Sequence, residues 1–463
     1  MPRLIVAGVR HGVEWRGRFG LGKRCVFGGV LATVLLLVTS ATAATMVQEF
    51  FLPMPEQQVR TAFTTIRPAA SNTMVAVFSI VVTGNGTLVA YDQWEDDYET
   101  DINNPIQSTT KIWGDGNNAN GICPGFVSDP TNGLPAGTVI ALRNDVLLPR
   151  NPATILYDAR DRIAANKAVT VSRACWSKNV GTVQASAAEV LATMDHGSKY
   201  IAPAGEDVLF NNMFQYVGLL IMADQDNTAV IIDQDGTGTV AAVSIVLNRG
   251  ESYQVNGGIK KGATVTGSKP VQVHMMTGNK SVSYESRSFV LRPTSIWDDK
   301  YMTAVGTAPN GNQAYAFLYS TNAAAVSVNY TTRAGSGTLT IPGGGNGHLQ
   351  WQLPQNSGTF FQSAGGQNYF VICSAGAQPG NSAAFDWGFS LMPFEGLTTE
   401  AVVGWGPGSN DGTQNGSPAW VTPMGNTTVY VDFRGDHAGA LTDPQGGKYD
   451  VMLTNVVTLE SRR

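Results

Sequence analysis

Closely spaced carboxylates between residues 92 and 115 are the part of this sequence best suited to chemistry. The run Glu-Asp-Asp-Tyr-Glu-Thr-Asp occupies residues 95–101, and a Gly-Asp-Gly turn follows at residues 114–116. Outside the cell, calcium prefers carboxylate and carbonyl oxygens as ligands. The pattern predicts a calcium site formed by Asp92, Asp96, Asp97 and Asp115. The spacing matches no EF-hand loop, and a solvated acidic loop is the alternative interpretation.

Residue types used in catalysis are present, but their spacing indicates no active site. The histidines after the N-terminal region are His196, His274, His348 and His437, too scattered for a zinc site. The sequence contains no Gly-x-Ser-x-Gly elbow, no His-Glu-x-x-His helix and no phosphate-binding loop. We therefore predict a protein that is not an enzyme, with no catalytic residues, no cofactor-binding residues and no cofactor other than the calcium considered above.

The cysteines indicate at most one internal disulfide. Cys25 lies near the N-terminus, which leaves Cys123, Cys175 and Cys373 in the rest of the chain. An odd number of thiols cannot all pair internally, so one disulfide and one free thiol are expected in an oxidising compartment. Cys123 with Cys175 is the first choice, because both fall in the same predicted unit.

The acidic residues belong to an insertion at residues 94–137, within a pattern that repeats about every hundred residues. Long loops on a repeated scaffold are where binding usually resides. Lys-Ala-Val-Thr-Val at residues 167–171 returns as Lys-Pro-Val-Gln-Val at 269–273 and, degraded, as Tyr-Phe-Val-Ile at 369–372. Lys-Tyr-Ile at 199–201 returns as Lys-Tyr-Met at 300–302. Self-similarity at a fixed period indicates one structural unit copied in tandem.

Each predicted unit begins with two β-branched runs around a turn. The first pair is residues 75–82 and 87–92, joined by Gly-Asn-Gly, and we interpret it as a β-hairpin. The same pattern returns at residues 216–233 and 315–330 and begins again at residue 419. If the units are equivalent, Val171, Val273 and Ile372 should be buried strand residues at matching positions.

These patterns predict an all-β fold of tandem repeats of about a hundred residues. Seven or eight short strands per repeat could form a propeller-like closed arrangement or a row of packed β-sandwiches, and the sequence does not decide between them. The predicted boundaries are an N-terminal segment contributing a late-repeat strand at 44–72, three repeats at 73–206, 207–307 and 308–408, and a partial fourth at 409–463.

The first 43 residues are typical of an export signal. A basic stretch is followed by an uncharged run at residues 25–39 and by Ala-Thr-Ala at 41–43, which predicts cleavage before Ala44. No later stretch is apolar and long enough to span a membrane. Without the signal the chain has 24 basic and 34 acidic residues, so it should repel nucleic acid and anionic lipid, and neither is expected as a partner. The predicted location is secreted or cell-surface.

Several phrases resemble the N-terminal domain of the IgG-Fc-binding protein family and related large bacterial secreted or surface proteins. They are Tyr-Asp-Gln-Trp-Glu-Asp at residues 91–96, Trp-Gly-Asp-Gly at 113–116, the Lys-Pro-Val strand at 269–273 and Pro-Thr-Ser-Ile-Trp at 293–297. The resemblance implies a β-rich extracellular module associated with adhesion or binding, and it supplies no catalytic residues. Mucin-like and von Willebrand-type modules are absent here, so immunoglobulin binding is not transferred.

Together these observations predict an exported, non-enzymatic β-repeat protein that acts as a cell-surface or extracellular binding or adhesion module. Its partner would be an extracellular protein or glycan. The alternative is a carbohydrate-binding or carbohydrate-active protein that uses the acidic insertion and exposed tryptophans.

Overall fold

The protein is all-β, with 46% of its residues in strands and 6% in helix. The computed structural model describes residues 5–6, 45–67, 71–178, 185–210, 212–280, 286–307, 313–376, 387–402, 419–433 and 437–462. The strand content confirms that the fold is all-β, as predicted. Within those ranges no helix is both long enough and apolar enough to cross a membrane. The export signal predicted for residues 1–43 and its cleavage point lie almost entirely outside the described residues.

The first large group of strands forms two four-stranded sheets around one hydrophobic core. After β1 (Ile5–Val6), its elements are β2 (Gln48–Phe51), α1 (Glu56–Ile66), β3 (Thr73–Val82), β4 (Val89–Asp92), β5 (Lys111–Trp113), β6 (Val139–Leu147), β7 (Arg162–Ala165), β8 (Val169–Ser177) and β9 (Ala185–Val190). One sheet has the order β2-β7-β4-β5 and the other β6-β3-β8-β9. Tyr91 and Ile163 from the first sheet share a core cluster with Phe78 and Val171 from the second. Two sheets packed in this way form a β-sandwich.

The second group contains β10 (Gly197–Ile201), β11 (Tyr216–Ala223), β12 (Thr228–Asp233), β13 (Val243–Leu247), β14 (Ser252–Val255), β15 (Thr264–Gly278) and β16 (Ser286–Val290). All seven strands belong to one sheet, which the long strand β15 holds together. Residues 264–267 of β15 pair with β12, and its residues 271–278 pair with β11. Strands β10 and β16 also pair with β15. Val230 and Val265 share a core cluster with Leu219 and Val273.

The third group contains β17 (Lys300–Thr303), β18 (Tyr315–Ser320), β19 (Val326–Thr332), β20 (Gly335–Ile341), β21 (Gly347–Gln352), β22 (Thr359–Ser363), β23 (Phe370–Ala375) and β24 (Trp387–Ser390). Its sheets have the orders β17-β22-β19-β20 and β21-β18-β23-β24. The last elements are β25 (Ala401–Val402), β26 (Thr427–Val431), β27 (Leu441–Thr442), β28 (Lys448–Tyr449) and β29 (Val451–Val456). Strands β25, β1, β26 and β29 form one sheet, and β27 pairs with β28.

The three large groups pair their strands in the same order. We number the strands of each group 1 to 8 along the chain and count residues 264–267 and 271–278 of β15 as strands 6 and 7. In all three groups strand 1 then pairs with strand 6, strand 6 with strand 3, and strand 3 with strand 4. Strands 5, 2, 7 and 8 pair with one another in that order. This common order is what copies of a two-sheet unit would produce.

The residues chosen from the repeated phrases are buried as predicted. Val171, Val273 and Ile372 lie in β8, β15 and β23, with exposures of 2%, 1% and 0%. The repeated lysines have a structural role, because Lys167 Nζ donates to the carbonyl of Asn85 and Lys269 Nζ donates to the carbonyl of Asp226, each at 2.5 Å. Each lysine therefore holds the turn that joins the second and third strands of its group.

The predicted hairpins are wrong. Strand β3 pairs with β6 and β8, whereas β4 pairs with β5 and β7 in the other sheet. Strands β11 and β12, and likewise β18 and β19, have no mutual pairing and belong to opposite sides of their sandwich. The physical reason is burial. Strand β3 is buried along nearly its whole length, so it lies in the middle of a covered sheet. The turn after β3 therefore leads to the opposite sheet instead of forming a hairpin.

Two further features differ from the sequence interpretation or were absent from it. The predicted disulfide between Cys123 and Cys175 is not formed, and Cys123, Cys175 and Cys373 are free, buried thiols. Cys175 fills the sandwich core from β8, while Cys123 lies in the insertion, where Asp129 Oδ1 accepts its backbone N–H. Helix α1 follows β2 and was not predicted.

Candidate functional site

Among the described residues, no three of the four aspartates predicted to bind calcium form a group whose ligand oxygens lie within 4.8 Å of one another. Asp92 is buried at the end of β4, where Arg162 Nη2 lies 2.8 Å from its Oδ2 and the backbone N–H of Glu99 donates to the same oxygen at 3.1 Å. Burial raises the pKa of Asp92 to about 6, and the Arg162 charge opposes that rise. Asp92 is therefore one half of a buried ion pair.

The other three predicted ligands are exposed. Asp96 accepts a hydrogen bond from Thr109 Oγ1 at 2.6 Å, and Asp97 has a left-handed backbone with φ of 70°. Asp115 accepts from the backbone N–H of Asn117 at 2.8 Å. These contacts fix local turns of the insertion, as aspartate commonly does.

A carboxylate that sequence reasoning missed organises the insertion. Asp129 is 3% exposed, and its Oδ2 accepts the backbone N–H groups of Gly114 at 2.7 Å and Gly116 at 2.9 Å. Both glycines have positive φ, at 98° and 78°, which a residue with a Cβ adopts only with strain. The Trp-Gly-Asp-Gly phrase is therefore a turn closed around a buried carboxylate.

A cluster of three other carboxylates lies at the base of the insertion. One ligand oxygen from each of Glu95, Asp158 and Asp161 lies within 4.8 Å of the others, and this is the one such group of three metal-ligating side chains in the described part of the chain. Glu95 belongs to the short helical turn after β4, and the two aspartates lie just before β7. The fold thus joins residues separated by more than sixty positions in the sequence.

Hydrogen bonds hold this carboxylate cluster in place. Asp161 Oδ2 accepts the hydroxyl of Tyr91 at 2.5 Å and the backbone N–H of Asp158 at 3.1 Å. Asp158 Oδ1 accepts the indole N–H of Trp94 at 2.9 Å. Arg150 forms ion pairs with both Glu95 and Asp158. One guanidinium therefore faces three buried carboxyl groups.

Burial raises the pKa of every carboxyl group in the cluster. The pKa of Asp158 rises to about 7, because burial and then the charge of Glu56 outweigh the attraction of Arg150. The pKa of Asp161 is raised well above its usual value by burial and then by the charge of Asp158. The pKa of Glu95 is also raised, again chiefly by burial. A cluster of this kind takes up protons or a cation at neutral pH.

Close to this cluster, a polar groove runs along the junction of the first and second sandwiches. It has a volume of about 510 Å³. Its lining consists of charged and amide side chains: Glu49, Arg162, Asp224, Gln225, Asp226, Asn227, Arg249 and Lys269. Three of these residues are acidic and three are basic, so the groove offers charges of both signs without a large net charge.

Two of the charged side chains that line the groove, Arg162 and Asp224, are held in place by buried partners. Arg162 is held by Asp92 and also donates to the carbonyl of Glu99 in the insertion, at 2.8 Å. Asp224 Oδ2 lies 3.1 Å from Nδ1 of His196, and both side chains are almost fully buried. In the described residues the other polar atoms of this pair, Asp224 Oδ1 and His196 Nε2, have no hydrogen-bond partner. The groove is therefore preorganised by both sandwiches.

The described tryptophans are mainly packing residues. Trp113 is buried, and Trp297 stacks on Phe370 with ring centroids 5.4 Å apart. Trp387 packs edge-on against Trp420, with centroids 5.5 Å apart. Trp94 is half-buried, with the Arg160 guanidinium 4.0 Å from its ring centroid. Among the described residues no tryptophan belongs to the strongly exposed large apolar side chains.

Comparison with known proteins identifies no family for this chain. The chain matches no protein-family model, and no curated protein is significantly similar to it.

Proposed function

We propose that this chain is an exported, non-enzymatic binding module, built as a row of packed β-sandwiches, that acts at the cell surface or outside the cell. The observation that carries the proposal is the groove between the first two sandwiches, with its fixed charges of both signs. Of the two arrangements the sequence allowed, the shared cores and common strand order favour packed sandwiches over a propeller.

The groove chemistry favours a polypeptide ligand. Every lining residue is charged or carries an amide, and charges of both signs are present. A peptide segment that carries acidic and basic side chains can satisfy such a surface, and complementary charges give specificity and fast association. Because Arg162 and Asp224 are already held by buried partners, binding orders few new side chains.

The insertion supports the same site. Its backbone carbonyl at Glu99 accepts from Arg162, so the loop reaches the back of the groove. Binding residues are commonly placed on long loops that a rigid scaffold positions. The resemblance to the IgG-Fc-binding N-terminal domain, with its implied adhesive role, is consistent with this proposal.

The proposal is tested by measuring whether the chain lacking residues 1–43 binds to peptide arrays. Glycan arrays are run in parallel. Lys269→Met removes a charge from the groove and should lower the affinity for a peptide that binds on the array about tenfold. Added salt should lower that affinity further. Lys167→Met is the matched control, because Lys167 makes the equivalent turn contact outside the groove. Equal loss in both variants would mean that the groove is not the site. Binding to glycans alone would favour the carbohydrate alternative instead.

A further inference from the structure

We propose that the cluster of Glu95, Asp158 and Asp161 is a calcium site that ties the insertion to the first sandwich. The inference does not depend on the proposed function, because it concerns a different set of side chains. It also differs from the sequence prediction, since none of the four aspartates chosen there takes part.

Charge balance is the first argument. Three carboxyl groups are buried together, and Arg150 forms ion pairs with only Glu95 and Asp158. Asp161 has hydrogen bonds from Tyr91 and from backbone N–H groups, but no ion pair with a cationic side chain is found for it in the described residues. Like charges held this closely repel one another, and a divalent cation turns the repulsion into attraction.

An unsatisfied oxygen is the second, independent argument. Glu95 Oε1 carries both of the hydrogen bonds found for this carboxylate, from Arg150 and from the backbone N–H of Leu156. Oε2 has no hydrogen-bond partner, although the side chain is 0% exposed. A buried carboxylate oxygen without a partner is rare and costly, and a bound cation would satisfy it.

The dimensions of the cluster suit calcium. Calcium binds oxygen at about 2.3–2.6 Å and accepts flexible arrangements of six to eight oxygens. Ligand oxygens that lie within 4.8 Å of one another can be brought into contact with one such ion by a small movement of the side chains. Magnesium requires shorter distances and near-ideal octahedral geometry, which makes it the poorer fit.

Terbium luminescence gives a direct test, because Tb³⁺ replaces Ca²⁺ and is excited by a nearby tryptophan. The indole N–H of Trp94 bonds Asp158 Oδ1 at 2.9 Å, which places a sensitiser beside the site. The chain lacking residues 1–43 should show tryptophan-sensitised Tb³⁺ emission that Ca²⁺ displaces. Calcium at about a hundredfold excess over Kd should raise the Tm of the first sandwich by about 9 °C.

Glu95→Gln should weaken Tb³⁺ and Ca²⁺ binding at least tenfold. The matched control is Asp96→Asn, an exposed carboxylate in the same helical turn, which should bind as the unaltered chain does. If Glu95→Gln fails to fold by circular dichroism, Asp158→Asn takes its place. The inference is overturned by the absence of emission and of any Tm shift at millimolar Ca²⁺ in the unaltered chain. Equal binding in Glu95→Gln, or a larger Tm shift with Mg²⁺ than with Ca²⁺, would also overturn it.

Discussion

Buried charged and titratable side chains lie between the first two sandwiches, and each depends on specific neighbours. Arg173 in β8 is fully buried, and its Nη2 lies 2.9 Å from Glu56 Oε1 at the start of α1. His274 in β15 is 1% exposed, with Nε2 3.3 Å from Gln272 Oε1. A buried charge is tolerated only while its partner is present. The pH dependence of stability therefore reports on this junction.

His274 should make the protein less stable in acid. Burial, followed by the charges of Arg173, His196 and Arg292, lowers its pKa from 6.5 to about 3. Between pH 6.5 and about 3 the unfolded chain binds a proton at His274 and the folded protein does not. The free energy of unfolding therefore falls as the pH falls. The slope is at most about 1.4 kcal/mol per pH unit.

Urea denaturation between pH 7 and 4 measures this effect. His274→Gln should flatten the profile relative to the unaltered chain. Parallel profiles for His274→Gln and the unaltered chain would show that His274 is not buried in its neutral form.

The chemistry of the acidic region could be anticipated from the sequence, but the membership of the carboxylate cluster could not. Glu95 falls inside the acidic run, whereas Asp158 and Asp161 follow much later, among ordinary turn residues. Only the pairing of β4 with β7 brings the two segments together. Local spacing carries no information about such a contact, which is why exposed neighbours such as Asp96 and Asp97 were chosen instead.

At the scale of elements, the repeated Lys-Tyr phrase marks the start of the second and third sandwiches. The hydroxyl of Tyr200 donates to the carbonyl of Val271 at 2.6 Å and accepts the backbone N–H of Gly197 at 2.8 Å. Tyr301 makes the same pair of bonds, with the carbonyl of Tyr369 at 2.8 Å and the N–H of Asp298 at 3.0 Å. In the second and third sandwiches a tyrosine thus anchors the first strand to the start of the seventh.

Removal of these hydroxyls should destabilise the second and third sandwiches separately. Tyr200→Phe and Tyr301→Phe each leave a buried carbonyl and N–H without a partner, at a cost of about 1–3 kcal/mol in the free energy of unfolding. Chemical denaturation followed by hydrogen exchange would locate each loss. Tyr315→Phe is the control, since that hydroxyl bonds the side-chain oxygens of Gln313 at 3.2 Å and Gln352 at 3.4 Å rather than a backbone carbonyl, and should contribute less than about 0.5 kcal/mol. Equal losses in all three variants would contradict an anchoring role.

Strand content and the buried positions were predictable, while the pairing of strands was not. Alternating and continuous apolar runs revealed β3, β11 and β18. A tight turn between two such runs suits either a hairpin or a crossing between sheets, and the choice depends on what covers the strands. Helix α1 did leave a trace in the sequence, because Val59, Phe63 and Ile66 recur at helical spacing and form its buried face.

At the scale of the whole molecule, the first two sandwiches share part of their core through helix α1. Phe63 and Ile66 belong to the same cluster as Tyr216, Leu220 and Met276 from the second group. A shared core couples the stability of neighbouring units, as it does between the units of repeat proteins. Unfolding of the first sandwich therefore removes packing from the second.

Phe63→Ala should weaken both sandwiches. The side chain is 0% exposed, so its loss leaves a cavity and costs about 3–5 kcal/mol. Hydrogen exchange should show faster exchange in β11 as well as in β3. Phe126→Ala, at a 37% exposed site in the insertion, should affect neither strand. Faster exchange confined to the first sandwich would mean that the two units are energetically independent.

The free cysteines give this molecule a set of internal reporters of opening. Cys123 and Cys175 lie in the core cluster of the first sandwich and Cys373 in that of the third, and burial raises the pKa of Cys123 and Cys175 to about 12 and that of Cys373 further still. Folded protein should therefore resist alkylation, since the thiolate is the reactive form. The rate at which each thiol is alkylated then measures how often the sandwich around that thiol opens. No label has to be engineered into the chain for this measurement.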